Sequence, residues 1–148
     1  EASESLQRAR AYPSALQPPV AFGLVLTEAR VLFAQGRPEE ARPKLKRLRA
    51  FLGDPKLRPR SRAQLFLLEG RLKRQEGALL EARQLVNQAL ELTPRSGDAL
   101  SAELDQVLAE GDRAQARRKA ARGAAREDLS PRARRILRER ARELGAGD

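Results

Sequence analysis

The sequence contains no cysteine, histidine, methionine or tryptophan, and only four Phe and one Tyr in 148 residues. Lacking Cys and His, it has no disulfide and no thiolate or imidazole metal ligand. It also lacks the base or nucleophile of the Ser-His-Asp and Cys-His systems. Carboxylates remain, but no pair of Asp or Glu stands in an apolar, glycine-punctuated setting that would hold one of them protonated. The chain is therefore expected not to be an enzyme, with no catalytic, cofactor-binding or metal-ligating residues. The scarcity of aromatics leaves Leu, Ala and Val to fill the interior, which favours closely spaced helices over a sheet of β-branched and aromatic residues. The length is that of one ordinary domain.

Long apolar runs are missing too. The longest charge-free stretch, residues 11–27, is interrupted by Pro13, Pro18 and Pro19, and it falls short of the ~20 apolar residues of a membrane span. A soluble chain without a transmembrane segment is expected. With Glu rather than Met at position 1, a cytoplasmic location and export after removal of an N-terminal segment are both open, as are further repeats before Glu1. The 25 Arg against 5 Lys, in an Ala- and Leu-rich background, point to a GC-rich, bacterial coding sequence.

What is present is a repeat. Residues 36–41, 77–82 and 111–116 each read as Gly, four intervening residues, then Ala. The second and third glycines are 34 residues apart and the first two 41, so the first interval carries an insertion of seven. It is placed at residues 53–59, where Gly53 stops a helix and Pro55 and Pro59 delay the next one.

From Leu65 to Pro94 the sequence resembles the tetratricopeptide repeat family. The bulky residue of the first helix is Phe66 and the small one Gly70; Gly77 makes the turn; Ala82, Ala89, Leu92 and the terminating Pro94 mark the second helix. Two antiparallel helices approach closely only where small side chains meet, so Gly70 and Ala82 let the pair close, and Ala89 admits the helix that follows. In the first repeat Ala29 replaces the small Gly and Leu48 stands where Ala89 stands. In the third, Leu104 takes the small position and Gly123 that of Ala89. The resemblance extends over residues 22–127, and with one repeat well matched, other helical-hairpin arrays stay open.

The fold class this implies is all-α, a right-handed α-solenoid of about three tetratricopeptide-like hairpins plus a C-terminal capping helix. Residues 1–20 form a lead-in segment or partial upstream helix, 21–127 the repeats, and 128–148 the cap and tail. Helices are predicted over 21–35, 38–52, 59–75, 78–92, 97–110, 113–126 and 131–144. Pro38 and Pro131 fall at first helical positions, where a missing N–H is harmless, and Ser130 is an N-cap; Pro43 is expected to bend its helix.

In this family the first helix of each repeat lines a groove for a partner peptide. Carried over, the resemblance implies Leu26, Arg30 and Phe33 from the first repeat, Gln64, Leu67, Arg71, Arg74 and Gln75 from the second, and Ser101, Asp105 and Leu108 from the third. Guanidinium groups bond carboxylates in pairs, so Arg30, Arg71 and Arg74 suit an acidic segment or a C-terminal carboxylate of another protein. The Asn residues of the family's carboxylate clamp are absent here, which argues against a binder of chaperone tails. The function so implied is that of a protein–protein interaction scaffold, part of a larger assembly or multidomain protein.

Charge is unevenly placed. Residues 37–62 carry ten basic against three acidic side chains, 63–111 five against eight, and 112–148 twelve against six, within a net charge of +10. Asp98, Glu103, Asp105 and Glu110 share one predicted helix without a base, and Arg113, Arg117, Arg118, Lys119, Arg122 and Arg126 share the next without an acid. The simplest expectation is that the two helices neutralise one another across their hairpin. The alternative reading is non-specific polyanion binding, to nucleic acid or an anionic membrane, by Arg113, Arg117, Arg118, Arg122 and Arg126. The lack of aromatics, and of Asn or Gln between Arg117 and Arg126, argues against specific base recognition.

Overall fold

A computed structural model describes residues 17–145. The lead-in segment predicted over 1–20 lies mostly outside the described residues, as does the last part of the tail. The described residues are all-helical, with seven helices: α1 (Pro18–Ala34), α2 (Pro38–Arg49), α3 (Pro59–Gln75), α4 (Leu79–Leu92), α5 (Gly97–Ala109), α6 (Arg113–Ala125) and α7 (Pro131–Glu143). The first helix starts at Pro18, earlier than predicted, because Pro18 and Pro19 fill first-turn positions whose N–H groups have no partner in a helix anyway. α2 stops at Arg49 rather than at Leu52. Its end tightens into i to i−3 bonds, Ala50 N–H to the Arg47 carbonyl and Phe51 N–H to that of Leu48. It runs unbroken through Pro43. Ser96, Asp112 and Ser130 cap α5, α6 and α7, each side chain accepting from the N–H three residues on.

The repeated glycines share one turn geometry. Gly36, Gly77 and Gly111 have φ of 69°, 80° and 90°, the left-handed region that side chains disfavour. Their N–H groups bond the carbonyls of Phe33, Arg74 and Leu108, and the next residues, Arg37, Ala78 and Asp112, reach those of Leu32, Lys73 and Val107. This double bond pattern satisfies the free carbonyls of the helix end and reverses the chain. Gly145, also at positive φ, follows α7 with its N–H on the Arg142 carbonyl, 34 residues beyond Gly111.

Consecutive helices pack on one another, and α1 with α3, α3 with α5, and α5 with α7 also touch. How closely each pair approaches follows the size of the residue between them. At Gly70 a Cβ would lie 3.5 Å from both the Ala82 carbonyl oxygen and Val86 Cγ2, and α3 and α4 form the most intimate pair. Leu48, fully buried at the position of Ala89, keeps α2 and α3 further apart. Leu104 at the position of Gly70 loosens α5 from α6, while Gly123 lets Leu137 of α7 come so near that a Cβ would stand 2.6 Å from its Cδ1. The predicted terminal helix is thus bound to α6 more closely than α6 is bound to its hairpin partner.

Two apolar clusters result. One, around Phe22, Leu26, Phe33, Leu48 and Leu65, takes in the edge-to-face pair Phe22–Phe51, centroids 6.1 Å apart. The other gathers Leu104, Val107, Leu129, Leu137 and Leu144. Each fully buried side chain of this size contributes ~1.5–3 kcal/mol. The insertion is held by Arg62, whose guanidinium donates to the carbonyls of Leu52 at 2.6 Å, Asp54 at 2.7 Å and Leu57 at 3.3 Å. Where α2 and α3 stand apart, Arg49 of α2 spans to Glu69 of α3 with two bonds of 2.8 and 2.5 Å. Glu69 is only 8% exposed, and burial raises its pKa above the ordinary glutamate value, with the Arg49 hydrogen bond and charge opposing the rise.

Gly70→Ala should leave the melting temperature unchanged or raise it, since a methyl fits at contact distance and Ala gains up to ~1 kcal/mol of helix propensity. Gly70→Leu should lower it by the equivalent of ~1–3 kcal/mol; equal melting of Gly70→Leu and wild type would show that α3 and α4 do not close here. Glu69 gives a pH signature. A carboxyl whose folded pKa is raised binds more protons in the native state, so its contribution is fully present below the unfolded pKa and lost as pH rises through the folded one. Wild type should therefore gain stability relative to Glu69→Gln as pH falls from ~7 to ~4, the range through which glutamates titrate. A difference that stays constant, or moves the other way, would contradict the burial-driven shift.

Candidate functional site

Along α3, Gln64, Leu67, Arg71 and Arg74 follow at intervals of three and four residues and so share one face of the helix. Because α1 and α5 flank that helix, the face becomes the floor of a groove. Its lining comprises Arg30 of α1, Gln64, Leu67, Leu68, Arg71 and Arg74 of α3, and Asp98, Ser101, Ala102 and Asp105 of α5, around a volume of about 240 Å³. Most of the residues carried over from the tetratricopeptide pattern therefore meet here. Leu26 and Phe33 do not: both are 4% exposed and belong to the first apolar cluster. Spacing puts them on one side of α1 with Arg30, but Leu26 and Phe33 pack into the core formed with α2 and α3 while Arg30 stays exposed at its edge. Gln75 is exposed at the end of α3 outside the lining, and Leu108 is half-buried against the second cluster.

Phe33 still acts on the groove from below. The Arg71 guanidinium carbon lies 5.2 Å from the centre of its ring, a cation–π contact that steadies the charge while leaving its donors free. Arg30, Arg71 and Arg74 make no ion pair among the described residues, in contrast to Arg37, Arg42, Arg49 and Arg83, each of which holds a glutamate. Arg74 is the most enclosed of the three, and its buried Nη1 has no hydrogen-bond partner. Burial lowers its pKa from the ordinary arginine value; Asp105 opposes that and the charge of Arg71 adds to it. Arginine does not lose its proton in practice, so the direction means that this charge sits where an incoming anion would relieve it. Asp105 supplies little relief, since its carboxylate is bonded to Arg140 of α7.

Past Gln64, Leu67 and Asp98 the groove continues into a wider depression of about 400 Å³ at the starts of α3, α5 and α7. Ala63, Ala133 and Ile136 give it an apolar floor, and Arg60, Arg95 and Arg132 stand around it. Sequence reasoning missed this part because it assigned α7 to a cap and gave it no place beside α5. The missed signal was Gly145, which repeats the 34-residue spacing and marks α7 as a helix like α1, α3 and α5.

The expected neutralisation of α5 by α6 is largely absent. Among the described residues only Glu103 crosses the hairpin, to Lys119 at 2.7 Å. Glu110 turns back to Arg83 of α4, which with the Gln106 amide at 2.6 Å lowers its pKa, the Arg83 hydrogen bond most of all. Asp105 turns forward to Arg140. These two acids thus find their partners on α4 and α7 rather than on α6. On α6, Arg126 pairs with Asp128 just beyond the helix and Arg113 reaches the Glu143 carbonyl at 3.5 Å. Arg117, Arg118 and Arg122 are exposed and make no ion pair among the described residues.

Among the described residues there is no group of three or more acidic side chains able to hold a metal ion, and no helix is long and apolar enough to cross a membrane. Compared with protein-family models, with curated proteins and with solved structures, the chain gives no match.

Proposed function

We propose that the chain is a tetratricopeptide-like, right-handed helical solenoid serving as a protein–protein interaction scaffold. Its groove takes an acidic segment or a chain-terminal carboxylate of a partner protein. Support for the solenoid comes from the recurrence of one glycine turn at 34-residue spacing and from the side-by-side contacts of α1, α3, α5 and α7. The observation that carries the binding function is the convergence of Arg30, Arg71 and Arg74 on one groove without a carboxylate partner, one of them with a buried donor unfilled. Natural proteins leave few buried donors unsatisfied, and three guanidinium groups here face two carboxylates, Asp98 and an Asp105 already bonded to Arg140, so the groove keeps an excess of positive charge for an anion.

A carboxylate suits these groups because the guanidinium fork bonds both of its oxygens at once, while Gln64 and Ser101 offer neutral donors for a peptide backbone. Leu67 and Leu68 give an apolar contact between the charges. The scaffold performs no chemistry of its own and requires no cofactor; its role is to hold one component of a larger assembly.

Titration calorimetry with a short Glu-rich peptide, and with the same peptide carrying Gln, tests the proposal. The acidic peptide should bind and the neutral one should not. Arg71→Gln/Arg74→Gln should weaken binding ~10- to 100-fold, the equivalent of losing a charge-assisted hydrogen bond of about 1.5–3 kcal/mol. Equal affinity of the two peptides, or an unaffected double variant, would refute the groove as an acid-binding site.

A further inference from the structure

The arginine face of α6 takes no part in that groove. We infer that it is a second binding surface, which contacts the phosphate backbone of duplex nucleic acid without regard to sequence.

The face is left charged by the packing itself. The acids that could have neutralised it are engaged elsewhere, Glu110 with Arg83 and Asp105 with Arg140, and Glu103 takes Lys119 rather than an arginine. Of the acids at its ends, Asp112 caps α6 by accepting from the Gln115 N–H at 2.8 Å and Asp128 holds Arg126, which leaves Glu127 beyond the last turn. Arg117, Arg118 and Arg122 are therefore free to meet an external anion, with Arg113 beside them held by one long bond. The buried side of the helix is Ala116, Ala120 and Gly123, so these arginines lie on the sides that α6 turns to solvent. A helix of 13 residues is about 20 Å long, enough to run past several phosphates of one strand.

What the face lacks selects the partner. A membrane surface helix inserts large apolar side chains, yet the large hydrophobics exposed among the described residues are Val20 and Leu80, on α1 and α4, and none is on α6. Single-stranded nucleic acid is held by aromatic stacking, and no aromatic residue occurs after Phe66. Small, exposed Ala114, Ala121 and Ala125 stand between the arginines, so no bulky side chain keeps a duplex backbone from them. No Asn or Gln is interleaved among Arg117, Arg118 and Arg122 to read base edges.

Binding of the full chain to a labelled generic DNA duplex at several salt concentrations, with anionic phospholipid vesicles in parallel, decides the matter. Three to four phosphate contacts predict a log–log salt slope of roughly −3, hence about a 100-fold loss of affinity between ~50 and ~200 mM salt. Arg117→Gln/Arg118→Gln/Arg122→Gln should reduce the slope to near zero. The charge-matched variant Lys46→Gln/Arg47→Gln/Lys56→Gln, at exposed positions on α2 and the following loop, should keep it. Circular dichroism of both confirms folding. Absence of duplex binding at ~50 mM salt would overturn the inference, as would equal losses in the two variants, which would assign the attraction to net charge, or binding to the vesicles alone.

Discussion

The closest approach that two helices can make, set by the side chain at their crossing, is the constraint on which the rest of this structure depends. With hardly any aromatics and many alanines, the chain cannot build a deep core. It gains cohesion by bringing backbones together, which dispersion forces reward only at contact distance. Gly70, Gly97 and Gly123 mark close helix–helix approaches, whereas Leu48 and Leu104 belong to the consecutive helices that touch least. Each loose crossing has a polar or charged consequence. Between α2 and α3 the separation is spanned by the Arg49–Glu69 bridge, and the insertion is fastened by Arg62. Beside α5 and α6, Glu110 and Asp105 pair with Arg83 of α4 and Arg140 of α7. The charge distribution is thus a product of the packing, where composition alone had suggested mutual neutralisation.

The helices were legible in the sequence because their ends are written in residues with one dominant physical role. Glycine after a helix and proline or serine before one leave little latitude, so boundaries at Gly36, Gly77, Gly111, Ser130 and Pro131 were placed within a residue or so. Pro18 and Pro19 were less clear, since proline belongs equally to a first turn and to an irregular lead-in. The seam of small residues also gave the order in which neighbours pack. It did not reveal that a looser hairpin changes which partner a charged side chain finds, because that depends on distances of a few ångström between elements far apart in sequence.

The groove was legible in part for a related reason. Positions three and four apart along α3 must share a face, and Gln64, Leu67, Arg71 and Arg74 do. On α1 the same rule gave a face but not its environment: Leu26 and Phe33 lie one and two turns along the helix on a side that the neighbouring helices cover, while Arg30 remains at the edge. A transferred pattern identifies sides of helices; whether a side is wet is decided by how the next hairpin leans against it. In Phe33 the two roles combine, since a core ring supports the guanidinium of Arg71 through its π face.

The two arginine sets differ in how solvent and salt act on them, and this difference separates their chemistry. Arg74 is partly withdrawn from water, so its attraction for an anion is screened little by salt, and part of the cost of charging that site is already borne by the fold. Arg117, Arg118 and Arg122 project into solvent, where ions at physiological strength screen charges beyond ~8 Å and single contacts are weak. Such a face gains affinity only by meeting many regularly spaced charges together, whereas a groove with one enclosed cation gains it from a single well-placed carboxylate. The buried, few-contact site is therefore suited to selecting one segment of a partner protein. The exposed, many-contact face of α6 would suit a repetitive polyanion, and its basic residues lie on a different helix from those of the groove.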